Sequence, residues 1–150
     1  MTTDDQHRHF AAVTFNEAWD LLDKPERTPQ EDDRMVHAAH ASRYHWEQVG
    51  EPSNLAIGEW QLARVYATLG RFEPGWHHAQ RGLALCLDRG LSPFLTGEAH
   101  EAAARLAALQ GDRARAEQHL AEAREQLHLV TDDDERSVLL GDLDSVGALL

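Results

Sequence analysis

Four glycines divide the middle of the chain at nearly equal intervals. Gly50, Gly70, Gly90 and Gly111 are separated by 20, 20 and 21 residues, and each closes a stretch with the periodicity of an amphipathic helix. Glycine is a common helix terminator. A repeat of about one helix per 20 residues is typical of stacked helical hairpins. This spacing therefore predicts an all-α architecture before any motif is considered.

The apolar periodicity predicts seven helices with short turns, arranged as three antiparallel hairpins and a C-terminal cap helix. All five prolines fall at the predicted boundaries, as expected when an interior proline costs a helix about 3 kcal/mol. We expect one domain spanning residues 1–150, with residues 1–8 disordered. The predicted helices are Phe10–Leu22, Pro29–Val49, 54–69, a fourth from Pro74 to Gly90, a fifth from Pro93, a sixth containing Ala116–Leu127 and a seventh from Thr131.

Local signals support these boundaries. Thr28-Pro29-Gln30-Glu31 is a capping box with proline at the first helical position. The third predicted helix carries two apolar stripes, so we expect it to be packed between neighbours. Glycines inside the predicted helices are tolerated where two helix backbones approach closely, and these are Gly58, Gly75, Gly82 and Gly97.

The charge and cysteine content exclude several classes of protein. The formal net charge is −12, with 14 basic and 26 acidic residues, so a cationic surface for nucleic acid is not expected. Cys86 is the only cysteine, which excludes an intramolecular disulfide or a thiolate-rich metal site. No apolar run approaches a membrane span, and the polar start lacks the core of a signal peptide. We expect a cytoplasmic protein with no membrane partner.

The third and fourth predicted helices resemble a tetratricopeptide repeat. Leu62-Ala63-x-x-Tyr66 is similar to that family's Leu-Gly-x-x-Tyr element, and Leu69-Gly70-Arg71-Phe72 is similar to its turn. The resemblance covers residues 54–129. It is also carried by Gly75, Ala79 and Gly82 at packing positions, by Ala103-Ala104 and Gln110-Gly111-Asp112, and by Ala116-x-x-x-Leu120-x-x-Ala123.

The resemblance implies a right-handed superhelix whose odd-numbered helices line a concave, peptide-binding face. It places Trp60 toward that face beside Arg64 and Thr68, with Glu101 and Arg105 on the next odd-numbered helix. Tryptophan and arginine carry much of the binding energy of protein interfaces. These five residues are therefore the predicted partner-binding site of a non-catalytic protein- or peptide-binding module.

Ten histidines suggest an alternative site. His37, His40 and Tyr44 are spaced i, i+3 and i+7 on the second predicted helix, and His45 lies near the same face. This face is a candidate for a small ligand. Two imidazoles at i, i+3 can also reach one metal ion, with a third ligand drawn from His77, His78 or His100. A further alternative is an oligomeric building block.

The sequence carries no catalytic motif and no cofactor motif. His100-Glu101-Ala102-Ala103-Ala104 has alanine where the second histidine of a zinc-peptidase helix would stand. No Glu-x-x-His pair is present, which excludes a carboxylate-bridged di-metal bundle. There is neither a glycine-rich phosphate loop nor a Gly-x-Ser-x-Gly elbow. We therefore expect no enzymatic activity, no cofactor and no resident metal.

Overall fold

The computed structural model describes residues 1–150, and α-helix is its only regular secondary structure. Seven helices contain 83% of the residues, which confirms the predicted all-α class. They are α1 (Thr3–Leu22), α2 (Pro29–Val49), α3 (Pro52–Thr68), α4 (Phe72–Arg89), α5 (Pro93–Leu109), α6 (Arg113–Leu129) and α7 (Asp133–Gly147).

The helices pack as neighbouring pairs. The most extensive contacts join α1 to α2, α3 to α4 and α5 to α6, and α7 lies against α5 and α6. The odd-numbered helices also contact one another in series, whereas no two even-numbered helices approach each other at the backbone. The odd-numbered helices therefore form a continuous row. The even-numbered helices diverge on the other side, which leaves space between α2 and α4 above α3.

The core is divided among the helix pairs, and α3 takes part in more than one section. Leu62 and Val65 join the section formed with α1 and α2, which contains Met35. Ala63 and Ala67 of the same helix face α4 and α5. This confirms that α3 is buried on two sides, as its two apolar stripes predict.

The helix ends follow the local signals in the sequence. The Thr28 hydroxyl accepts from the backbone N–H of Glu31, and the Glu31 carboxylate accepts from the backbone N–H of Thr28, so the predicted capping box is present. Gly70, Gly90 and Gly111 have φ values of 71°, 59° and 85°. This left-handed conformation is one that glycine adopts readily. Gly50 differs, because it ends α2 in an extended conformation.

The start of the chain differs from the expectation of disorder over residues 1–8. In the structure α1 begins at Thr3, seven residues before the predicted start at Phe10. Thr2 and Asp5 form a second capping box, in which each side chain accepts from the other residue's backbone N–H. These residues are polar, so apolar periodicity does not reveal the first turns of this helix. Similarly, α4 begins at Phe72 rather than Pro74.

Two glycines allow close contact between neighbouring helices. A Cβ atom at Gly75 of α4 would lie 2.7 Å from Cδ1 of Leu106, and one at Gly97 of α5 would lie 2.6 Å from Cδ2 of Leu139. Both leucines are fully buried, so a side chain at either glycine would require a leucine of the core to shift. None of the seven helices combines the length and hydrophobicity needed to cross a membrane.

Candidate functional site

Three of the predicted partner-binding residues form an internal ion-pair network. The Oε1 atom of Glu101 accepts from Nη2 of Arg64 at 3.1 Å and from Nε of Arg105 at 2.8 Å. Arg64 also lies 3.4 Å from the Asp142 carboxylate, and Arg105 donates to the Ser145 hydroxyl at 2.6 Å. We call these five residues the inner network. It ties α3, α5 and α7 together along the row of odd-numbered helices.

The inner network is closed rather than open to a partner. The Glu101 side chain is 0% exposed, and those of Arg64 and Arg105 are only 18% and 14% exposed. Both guanidinium groups already have carboxylate partners within the chain. These residues were predicted to grip a peptide, but the structure engages them in joining helices.

The other two predicted partner-binding residues, Trp60 and Thr68, take no part in the inner network. Trp60 is half-buried in a row of aromatic rings, with centroids 5.8 Å from Trp19 of α1 and 6.4 Å from Phe94 of α5. Its indole Nε1 is buried without a hydrogen-bond partner. Thr68 is exposed near the end of α3. Trp60 therefore lies on the row of odd-numbered helices, in a mainly apolar setting.

A second buried glutamate, Glu98, lies beside the inner network and was not identified from the sequence. Burial, together with the charges of Glu101 and Asp142, raises the pKa of Glu98 to about 10. Neither of its carboxyl oxygens accepts a hydrogen bond from the protein. The raised pKa favours the protonated form of Glu98 at neutral pH. Glu98 shares a cavity of about 10 Å³ with Trp60 and His78, which is the size of one water site.

An open, mainly apolar groove lies between α1 and α3. Its volume is about 180 Å³. Two amide side chains border it, while its remaining surface is apolar and includes one tryptophan from α2. We call it the apolar groove, and its residues are Ala12, Phe15, Asn16, Trp46, Asn54 and Ile57.

The apolar groove is part of a longer aromatic surface. The Phe15 ring lies 6.3 Å from that of Trp19, the first member of the row that continues through Trp60 to Phe94. Gln61 of α3 donates to the backbone carbonyl of Phe15 at 2.9 Å, which fixes the two helices at this level. The groove thus lies at one end of an aromatic surface carried by the odd-numbered helices.

A polar cleft of about 250 Å³ opens between α2 and α4, above α3. We call it the histidine cleft. Three of its eight residues are histidines and two are arginines, and its only buried carboxylate comes from α3. It is lined by His40, Arg43, Tyr44, Glu47, Glu59, His77, His78 and Arg81.

Glu59 organises the charges of the histidine cleft. Its carboxylate accepts from Nε of Arg43 at 3.1 Å and Nε of Arg81 at 3.3 Å, and it contacts Nδ1 of His78 at 2.6 Å. The Glu59 side chain is 2% exposed. Burial pushes the pKa of Glu59 upward, but the hydrogen bond from His78 and the neighbouring positive charges hold it below its ordinary value. Glu59 is therefore an anchored carboxylate that positions three cationic or ionisable groups.

Two glycines make room for this arrangement. A Cβ atom at Gly58 would lie 2.9 Å from Cδ of Arg43, so the absence of a side chain lets Arg43 cross α3 toward Glu59. A Cβ at Gly82 of α4 would lie 3.3 Å from Cβ of Glu59. The two glycines therefore allow the backbones of α3 and α4 to lie close to the side chains of the Glu59 network.

The predicted histidine face is divided in the structure. His40 and Tyr44 enter the histidine cleft, where Nε2 of His40 lies 2.8 Å from the Tyr66 hydroxyl. His45 instead faces α1, with its Nδ1 atom 2.8 Å from Nδ1 of His7. His37 is exposed on α2. His37 and His45 lie at different angles around the axis of α2, so their rings point to different sides of the helix. The four residues therefore do not form one site.

The histidines proposed as a third metal ligand are also divided. His77 and His78 lie in the histidine cleft, but His100 pairs with His119 of α6, with their Nδ1 atoms 3.1 Å apart. No group of three or more histidine, cysteine or acidic side chains is arranged to hold a metal ion. Cys86 is buried, and burial raises the pKa of its thiol to about 11.

Comparison with known proteins gives no relative for this chain. No protein-family profile matches the sequence, and neither the curated proteins nor the solved structures give a significant match.

Proposed function

We propose that the protein is a non-catalytic binding module of tetratricopeptide-like type, which captures a short segment of a partner protein in the apolar groove. The observation that carries the proposal is the open apolar groove between α1 and α3, bordered by two amide side chains. Odd-numbered helices line the peptide-binding face in the family that the sequence resembles. Five of the six residues of the groove come from α1 and α3, and none of them is Arg64, Glu101 or Arg105.

The size of the groove favours one anchoring side chain. An apolar cavity of about 150 Å³ is large enough for benzene, whereas drug-sized ligands occupy roughly 300–1,000 Å³. A groove of about 180 Å³ therefore suits one aromatic or branched aliphatic side chain of a peptide. Phe15 and Ile57 would contact that side chain directly.

The polar groups at the rim suit an extended peptide backbone. The Asn16 amide has no partner within the chain, and the NH₂ group of Asn54 is free because only its Oδ1 atom is engaged, by the Glu51 backbone N–H. An amide side chain both donates and accepts, which matches the C=O and N–H groups of a peptide. The formal charge of −12 favours basic residues beside the apolar anchor, since opposite charge speeds association.

A random peptide library displayed on phage tests this function. We expect selection on the immobilised protein to enrich peptides with one large apolar residue next to lysine or arginine. Ile57→Asp places an unpaired charge in the groove and should abolish binding of the selected peptides. Asn16→Ala alters an exposed side chain and should weaken binding with the fold unchanged.

Val138→Asp is the matched control, because Val138 is an exposed apolar residue on α7, away from the groove. It should leave peptide binding unchanged. The proposal would be rejected if no peptide is enriched. It would also be rejected if the enriched peptides bind Ile57→Asp and Asn16→Ala with the same affinity as the parent protein. Loss of binding in Trp60→Ala but not in these two variants would instead move the site along the aromatic row.

A further inference from the structure

We propose that the histidine cleft is a binding site for a phosphate group carried by a small soluble molecule. This inference is independent of the proposed function, because the cleft shares no residue with the apolar groove. It rests on the carboxylate oxygens already occupied in the cleft, on the donors left unused there, and on the rigid network that positions them.

The groups left free in the cleft favour an anion over a cation. Glu59 is the buried carboxylate, and both of its oxygens are occupied, Oε1 by two arginines and Oε2 by His78. Glu47 is at the rim, 4.0 Å from Arg43. A metal ion would have to displace two guanidinium groups from Glu59. The two glutamates balance the formal charge of the two arginines, but an anion would meet the free terminal nitrogens of Arg81, which is 55% exposed.

Several donors in the cleft lack a partner within the chain. Arg81 uses only Nε toward Glu59, so its two terminal nitrogens are free, and its side chain is 55% exposed. The Tyr44 hydroxyl is also unbonded, and Tyr44 is 58% exposed. His78 is fixed through Nδ1, which leaves Nε2 for a ligand, and this nitrogen becomes a donor when the ring is protonated. These groups come from both walls of the cleft.

The network beneath the cleft holds its donors in fixed positions. The buried Glu59 carboxylate accepts from Nε of Arg81 and contacts Nδ1 of His78. Gly58 and Gly82 both adapt the backbone to the network. The result is a rigid carboxylate that holds Arg81 and His78 at an open surface.

The number and direction of the donors favour phosphate over carboxylate. A carboxylate presents two oxygens in one plane, which a single arginine can satisfy, whereas a phosphate presents three oxygens to donors from several directions. The cleft brings together a guanidinium, imidazoles and a phenol from α2 and α4. The volume of about 250 Å³ suits a phosphate with a small substituent, and the charge of −12 opposes long polyanions.

The test is a titration of ¹⁵N-labelled protein with inorganic phosphate and with glycerol 3-phosphate at pH 7 and low ionic strength. We expect saturable binding of one phosphate, with amide shifts confined to the residues of the histidine cleft. Arg81→Gln should weaken this binding about tenfold or more. Circular dichroism and the melting temperature establish whether the variant is folded. We expect it to be folded, because the Arg81 side chain is 55% exposed.

Arg89→Gln is the matched control, because Arg89 is an exposed arginine on the same helix outside the cleft. It should bind phosphate like the parent protein. Absence of saturable binding, equal weakening in both variants, or equal binding of acetate would overturn the proposal. Binding to phosphatidic-acid vesicles that requires Arg81 would overturn the assignment to a soluble ligand, since the phosphate would then come from a lipid headgroup.

Discussion

Two buried glutamates organise charge networks in this protein, and their surroundings give them different capacities. Glu101 holds Arg64 and Arg105 among α3, α5 and α7, where the odd-numbered helices contact one another. Glu59 holds Arg43 and Arg81 among α2, α3 and α4, where the even-numbered helices diverge. The same pairing of one carboxylate with two guanidinium groups therefore joins helices in one place and leaves free donors in the other.

The comparison shows that helix spacing decides what a buried ion pair can do. In the inner network the second partners of the arginines, Asp142 and Ser145, come from the next helix in the row. In the histidine cleft the terminal nitrogens of Arg81 have no second partner within the chain, and its side chain is 55% exposed. Both networks pair one glutamate with two arginines. They differ in whether the next helix is close enough to supply a second partner for each arginine.

Glu101→Gln should have the largest effect on stability. Removing one partner from a buried ion pair leaves uncompensated charge and costs about 3–5 kcal/mol. Here both Arg64 and Arg105 would lose the negative charge of the carboxylate that they share. Urea unfolding followed by circular dichroism measures the change. A loss below about 0.5 kcal/mol, as at ordinary surface sites, would show that the inner network does not stabilise the fold.

Glu98→Gln should stabilise the protein near neutral pH, by about 1–3 kcal/mol. The pKa of Glu98 is about 10 in the folded chain, far above its value of about 4.3 when unfolded. The folded state therefore binds more protons between these values, and its stability falls as pH rises through that window. A glutamine does not ionise and therefore carries no such penalty.

Unfolding measured from pH 5 to pH 9 separates the two chains. We expect the parent protein to lose stability relative to Glu98→Gln as pH rises, because the unfolded parent chain releases a proton that the folded chain retains. The difference should become small near pH 4.5. Parallel stability curves across this range would mean that Glu98 ionises normally and that its pKa is not raised.

Glu59→Gln should destabilise the protein by about 1–2 kcal/mol, less than Glu101→Gln. It removes charge-assisted hydrogen bonds, but water can reach Arg81, and Arg43 keeps Glu47 nearby. Glu47→Gln at the exposed rim is the control and should change stability by no more than about 0.5 kcal/mol. Equal losses in Glu59→Gln and Glu101→Gln would remove the energetic distinction between the two networks.

Arg81→Gln should have the smallest effect, within about 0.5 kcal/mol, because Arg81 is largely solvated and exposed ion pairs contribute little. Arg105→Gln is its counterpart in the inner network and should cost about 1.5–3 kcal/mol, the range for buried hydrogen bonds to charged groups. Thermal unfolding of the two variants gives the comparison directly. A greater loss of stability in Arg81→Gln than in Arg105→Gln would contradict this prediction.

The helices were largely predictable from sequence because their signals are local. The capping box at Thr28 and the left-handed glycines at 70, 90 and 111 lie within a few residues of the ends they define. The start of α1 was not predictable in this way, since its first turns are polar. The N-terminal end of α1 is set by Thr2 and Asp5, which form a capping box that no apolar run follows directly.

The candidate sites were less predictable because they depend on partners from distant helices. Arg64 and Glu101 were identified as neighbours on the row of odd-numbered helices, but the sequence does not reveal that they pair with each other. Glu59 was overlooked, although one signal was present. It lies within a helix that is apolar on two sides, where a charged residue must be buried and therefore needs a partner.

The sparse contact between α1 and α3 has a consequence for how the chain opens. Because helices contact mainly their neighbours in sequence, the structure behaves almost as a one-dimensional stack, in which sections separate at different free energies. At the level of the backbone, the α1–α2 hairpin contacts only α3 in the rest of the chain. Its amide hydrogens should therefore exchange with solvent before those of α5, and the hairpin carries one wall of both the apolar groove and the histidine cleft. Occupancy of either site would slow that exchange.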